Sequence, residues 1–174
     1  MIRNTRETEI YVELYKDGGI NTGDPVLDHM VKTMFFYANI PVTVNAKFDL
    51  RHHLWEDLGI TIGLEINRVK KDNIKRYGYS IIPMDDALII CSIDFSRSYL
   101  NMHVDFKDEE GFEISLIHEF LNALSRTSNI TMHFIKMSGE NAHHISECMF
   151  KALGFSLRSA LEASDRIEST KGSI

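Results

Sequence analysis

Two runs of one pattern, His-His-x-x-Glu, stand at His52-His53-Leu54-Trp55-Glu56 and His143-His144-Ile145-Ser146-Glu147, and they use four of the chain's eight histidines. On a helix, residues three and four apart share a face, so Glu56 lies beside His52 and His53, and Glu147 beside His143 and His144. Each run is then a small cluster of imidazoles and a carboxylate. That donor set suits a first-row divalent ion such as Mn, Fe or Zn, whereas calcium asks for oxygens and a structural zinc finger for thiolates. Adjacent helical residues point about 100° apart, so one ion would struggle to take both histidines of a pair. The simplest arrangement is two ions, each taking one histidine from each pair. With open positions, such ions could bind and polarise a substrate nitrogen or oxygen. A single copy of the pattern is as readily a solvated helix surface; two copies in register are not.

The elements that must carry these residues follow from hydrophobic periodicity. Residues 9–16 alternate as a strand, and Asp17-Gly18-Gly19 reads as a turn. Val26, Leu27, Met30, Val31, Met34 and Phe35 have helical spacing. Val42, Val44, Ala46 and Phe48 alternate as a strand, and Leu54, Leu58, Ile62 and Ile66 recur along a helix that carries the first motif. The second half repeats the plan, with strands around 86–94 and 99–106, a helix with Leu116, Ile117, Phe120, Leu121 and Leu124, a strand around Ile130, Met132 and Phe134, and a long helix with the second motif. Asn39-Ile40 and Asn129-Ile130 stand at an offset of 90, and the His pairs at 91. The chain therefore reads as a duplication, with repeats at about 1–84 and 85–174 that pack into one unit over 1–174. The repeat also suggests one more ligand per half: His29 in Leu27-Asp28-His29-Met30 maps by the offset to Glu119, beside His118. His103 and His133 fall on the polar phase of their strands and read as surface residues.

At 174 residues and 44% hydrophobic content the chain can bury a sizeable core without covalent staples. Its two cysteines, Cys91 and Cys148, lie in apolar stretches and read as reduced core thiols. A net charge of −6 argues against a general nucleic-acid binder. No apolar run approaches the length of a membrane span and the N-terminus is unlike a signal peptide, so a cytoplasmic protein with no membrane partner is expected. Local basic groups could still hold one phosphate: Lys75-Arg76, Arg97, Lys151 four residues beyond Glu147, and the tail Ser169-Thr170-Lys171-Gly172.

These segments resemble the imidazoleglycerol-phosphate dehydratases across nearly the whole chain. The resemblance rests on Arg6-Glu7-Thr8, Leu27-Asp28-His29-Met30, HHLWEDLGI from His52, KRYG from Lys75, PMDDAL from Pro83, GENAHHISECMFKA from Gly139 and STKG near the end. It implies an α+β fold, an internally duplicated sandwich of ribosomal-S5-domain-2-like halves with helices packed on a sheet. It further implies two Mn ions per subunit, with Fe or Zn as substitutes, and trimers that assemble into a 24-subunit homo-oligomer whose ions sit between subunits. The implied reaction is dehydration of D-erythro-imidazoleglycerol phosphate to imidazoleacetol phosphate in histidine biosynthesis, with the substrate imidazole bound as imidazolate. By resemblance the metal ligands are His29, His52, His53, Glu56, His143, His144 and Glu147, with His118 or Glu119 as an eighth. Glu7 is the acid/base and a substrate contact, Glu56 and Glu147 complete the catalytic carboxylates, and Arg76, Arg97, Lys151, Ser169, Thr170 and Lys171 match substrate or phosphate positions. Some signatures differ. The common DHHTVED has Leu54 in place of its Thr, SGRP becomes Ser96-Arg97-Ser98-Tyr99, and a usual His-Gly is Ala38-Asn39 after Tyr37.

Overall fold

A computed structural model describes residues 1–172 of the chain. In chain order the elements are β1 (Ile2–Asn4), β2 (Thr8–Leu14), β3 (Gly19–Asn21), α1 (Pro25–Ala38), β4 (Val42–Phe48) and α2 (Arg51–Val69). They continue with β5 (Tyr77–Met84), β6 (Ala87–Phe95), β7 (Tyr99–His103), α3 (Ile114–Ser128), β8 (Ile130–Ser138) and α4 (Ala142–Ala160). Two four-stranded sheets result, ordered β1-β2-β4-β3 and β5-β6-β8-β7. In each, an antiparallel pair is extended by a strand that runs parallel to its neighbour, β3 to β4 and β7 to β8, with α1 and α3 as the crossovers. The duplication expected from the offsets is thus a repeat of topology.

Local chemistry sets the helix ends. Asp24 caps α1 by accepting from the backbone N–H groups of Val26 (3.0 Å) and Leu27 (3.3 Å), and Pro25 follows at the first helical position. Asn39 and Asn129 close α1 and α3 in the left-handed conformation, at φ 57° and 54°. Asparagine tolerates that region better than most residues, and it here does at position 39 what the glycine of the more usual His-Gly would do. Asn141 caps α4 by accepting from the His144 N–H at 3.0 Å.

Alternation buries one face of each sheet: Ile10, Val12 and Leu14 in β2, and Ile89, Cys91, Ile93 and Phe95 in β6, form one core with Leu27, Met30, Leu58, Ile62, Phe120 and Phe150 of the helices. The packing of the helices decides where the motifs face. Motif helix α2 lies on β2 and β4 of the first sheet, and motif helix α4 on β5 and β6 of the second. Each then packs on the crossover helix of the other half, α2 on α3 and α4 on α1. Glycine makes both seams tight. A Cβ at Gly63 would meet the Leu124 carbonyl oxygen at 2.9 Å, and one at Gly154 would meet the Met34 carbonyl oxygen at 2.4 Å. Gly63 and Gly154 are separated by 91 residues, as His52 and His143 are.

Three strands differ from the periodicity reading. β1 and β3 are three-residue edge strands, too short for an alternating pattern, and Gly19 opens β3 where a turn alone was expected. β5 pairs with β6 along its full length, so the halves divide within 70–76 and not at 84. Its outward residues Tyr79 and Ile81 are exposed and apolar, which erases the alternation. β7 ends at His103, short of the expected 106.

Candidate metal centre

The first turn of α4 carries His143 and His144, and Glu147 lies one turn on. Because α1 packs on α4, His29 reaches the same place from the other half. Glu147 Oε2 lies 2.9 Å from His29 Nε2 and 3.0 Å from His143 Nε2, and the two Nε2 atoms are 3.4 Å apart. An ion bonded at about 2.1 Å to three donors at tetrahedral or octahedral angles holds them roughly 3.0–3.4 Å apart. The tripod therefore has the spacing of a three-ligand face. Both imidazoles are about 40% exposed, leaving the outer side open to further ligands. Burial pushes the Glu147 carboxyl up, but hydrogen bonds from Lys151 Nζ (3.0 Å) and His29 outweigh it and hold the group below its ordinary range, ionised and ready to ligate.

His144 points away from this tripod, as adjacency on a helix requires. Its Nδ1 is 2.6 Å from Asp86 Oδ1 and its Nε2 3.4 Å from Asp85 Oδ2, both in the turn between β5 and β6. Asp86 also accepts from the backbone N–H groups of Glu140 and Asn141, and together with His144 these keep its carboxyl far below the usual range. The pattern leaves His144 Nε2 as the free donor.

Motif one, at the start of α2, is arranged differently. His53 Nδ1 lies 2.8 Å from Asp49 Oδ1, four residues earlier, and this bond raises the histidine's pKa. Glu7, exposed in the turn between β1 and β2, is the next acidic neighbour, 3.8 Å from His53. Glu56 is taken by Arg126 of α3, whose Nη2 donates to Oε1 at 3.0 Å. His52 is exposed beside His53. Among the described residues the one group of three donors within reach of a single ion is His29, His143 and Glu147. His118 and Glu119 lie on α3, the former exposed and the latter half-buried, with no hydrogen bond or ion pair to motif one among the described residues.

The basic residues do not all converge. Arg76, at φ 68°, donates from Nε and Nη2 to the two oxygens of Asp94 (2.6 and 3.1 Å) and from Nη1 to the Glu168 carbonyl (2.8 Å). With Ser169 and Thr170 it lines a cavity of about 340 Å3, and the Lys171 N–H donates to Ser169 Oγ at 3.2 Å. Arg97 is exposed between β6 and β7, and Lys151 belongs to the tripod.

Further contacts support the ligands. Arg51 donates from Nε to Asp24 Oδ2 at 2.7 Å, pairs with Glu113 and reaches the Gly111 carbonyl at 3.2 Å; Trp55 Nε1 shares Asp24 at 3.0 Å. Phe112 stacks on His143, with ring centroids 4.8 Å apart and planes 16° from parallel. Asp49 could have been found by its helical spacing from His53. Asp86, Arg126 and Phe112 are brought in by tertiary packing and carry no local signal.

Comparison with known proteins agrees with this arrangement. The family model for imidazoleglycerol-phosphate dehydratase (IGPD) matches residues 22–157. The chain is 49% identical to imidazoleglycerol-phosphate dehydratase of Pyrococcus furiosus, with 99% of each chain covered, and 42% identical to that of a Marinomonas species, covering 99% of this chain and 95% of that one. It superposes on the crystal structure of IGPD from Pyrococcus furiosus in complex with (S)-C348 with a TM-score of 0.97, both chains fully covered. On the Staphylococcus aureus enzyme the TM-score is 0.82 at 32% identity, over 94% of this chain and 98% of that one. With the duplicated fold, the histidine tripod and full-length similarity in agreement, the chain belongs to the imidazoleglycerol-phosphate dehydratase family of hydro-lyases.

Proposed function

We propose that the chain, acting as one domain of two repeats, dehydrates D-erythro-imidazoleglycerol phosphate to imidazoleacetol phosphate in the histidine biosynthesis of the cytoplasm. The observation that carries this reading is the His29, His143 and Glu147 tripod, whose donors are spaced for a divalent ion. His144 and motif one supply the donors for a second ion, giving two Mn per subunit, with Fe or Zn able to substitute. Bound there, the ions supply the positive charge that makes the substrate's imidazole an electron sink.

The chain's own groups do the rest. The reaction removes a carbon-bound proton of low acidity and expels a neighbouring hydroxyl as water, and the enol left behind becomes the ketone. Glu7, exposed and next to His53, is placed to take or return a proton at the rim of motif one. Arg76, Ser169, Thr170 and Lys171 border the cavity that would take the phosphate; Arg97 and Lys151 complete the substrate contacts. Asp94 pre-orients the Arg76 guanidinium through two hydrogen bonds, so little is left to order when phosphate arrives.

Motif one has no third donor from its own chain that it meets in this structure, which favours completion by another subunit within a trimer-based 24-subunit assembly. The test is metal content and dehydration of imidazoleglycerol phosphate in one purified sample, with Mn and after chelation. Two Mn per chain and turnover that chelation abolishes are expected. Two bound metals without turnover would sink the enzyme reading and favour ions that merely cement subunits.

A further inference from the structure

A metal-binding histidine usually has its ring plane fixed by a hydrogen bond at the nitrogen that does not ligate. His144 and His53 have carboxylates at Nδ1, Asp86 and Asp49. His143 differs. Its Nε2 faces Glu147 and His29, and its Nδ1 has no hydrogen-bond partner among the described residues. What holds its plane is the face of Phe112, stacked at 4.8 Å and nearly parallel.

Phe112 is itself held firmly. It is buried, and it exchanges backbone hydrogen bonds with Glu109 (3.2 and 2.8 Å) across a tight turn whose central residues, Glu110 and Gly111, have φ of 50° and 84°. Such a turn needs positive φ at both centres, and glycine provides it without strain at the second. The turn is then tied down by Arg51, which grips the Gly111 carbonyl and Glu113 on one side and Asp24 on the other. Asp24 caps α1, the helix of His29, and Arg51 immediately precedes His52. One guanidinium thus touches the supports of ligands from α1, α2 and α4.

We propose that Phe112 is a positioning residue for His143, holding the imidazole plane so that Nε2 faces the gap shared with His29 and Glu147, and that Arg51 holds Phe112 in register. The inference rests on the reading of that tripod as a metal site. The stack replaces a hydrogen-bonded orienter, so it fixes the ring without drawing on Nδ1.

The test uses the full metal-free chain with labelled histidine, titrated with Zn and read at the His143 ring resonances. In the unsubstituted protein these protons should be shifted upfield by the Phe112 ring. Phe112→Leu should remove that shift and weaken Zn binding at His143 about 10-fold, the low end of what outer supporting contacts are worth. Phe112→Tyr, which keeps the aromatic face, should restore both to within about twofold of the unsubstituted protein. A residue that served packing alone would lower the melting temperature and leave the affinity of the folded protein unchanged; that result for Phe112→Leu overturns the inference while leaving the metal site standing. Should Phe112→Leu fail to fold, unshifted His143 protons in the unsubstituted protein would overturn it equally. A His143 resonance indifferent to Zn in the unsubstituted protein overturns the metal reading itself, and this inference with it.

Discussion

The two His-His-x-x-Glu motifs share a sequence pattern and a place at the start of a helix, yet motif two is assembled within the chain and motif one is not. Glu147 gathers His143 and His29 around itself, whereas Glu56 is held by Arg126. The opposing helix makes the difference. α1 offers an imidazole to α4, and α3 offers a guanidinium to α2. A motif thus specifies donors, and the helix packed against it specifies whether those donors find a partner that can share an ion or one that must be displaced.

The sharpest way to break the comparison is to remove the assembled side. His143→Ala takes one donor of three, so divalent-ion affinity at the tripod should fall by more than about 100-fold, since even outer supporting contacts are worth about 10–100-fold. Metal content and dehydration rate should fall together; an unchanged metal content would show that the tripod is not a ligand set.

Proton competition separates the motifs next. The Asp49 hydrogen bond raises the pKa of His53, so the protonated form persists above the ordinary value of about 6.5, and an ion must displace that proton. Metal uptake at motif one should therefore weaken as pH falls through that raised value. Asp49→Asn removes the raising contact, and the loss should begin at lower pH, by up to about one unit. Metal titrations across pH 5–8 in both proteins would measure it; coincident curves would count against Asp49 as the cause. The sign for stability is the matching one: the pair's contribution is present below the unfolded pKa of His53 and lost as pH rises through the folded one.

The smallest expected effect sharpens the contrast. Arg126→Ala frees Glu56 from a partly exposed ion pair of the kind worth about 0.2–1 kcal/mol, so ion affinity at motif one should rise by at most about fivefold. Isothermal titration would detect that gain, and a loss of affinity would mean that Arg126 supports the site and does not compete for it.

Much of this was readable from the chain alone. The four helices, the alternating strands β2, β4, β6 and β8 and the repeat offset follow from periodicity, and Asn39 and Asn129 prove to be equivalent left-handed caps. β1 and β3 are too short to show a period, and β5 carries apolar residues on its open face, so its pattern mimics no half-buried strand. Of the site, the tripod members were all identifiable by type and spacing. That His29 would join the motif of the other half was not, because it depends on which helices pack together. Asp86 reaches His144 from 58 residues away and Phe112 reaches His143 from 31, and no helical or strand period reports contacts of that kind.

At Gly63 and Gly154 the halves meet through bare main chain, with a neighbouring helix's carbonyl oxygen occupying the space a side chain would need. Where two side chains touch, a change in one can be answered by a change in the other over the history of a protein. A carbonyl has no smaller variant to offer. These two positions therefore admit no compensating substitution across the seam. Once the duplicated halves had closed on each other in this way, each was free to diverge in its ligands and its outer faces, but neither could alter the distance at which it holds the other.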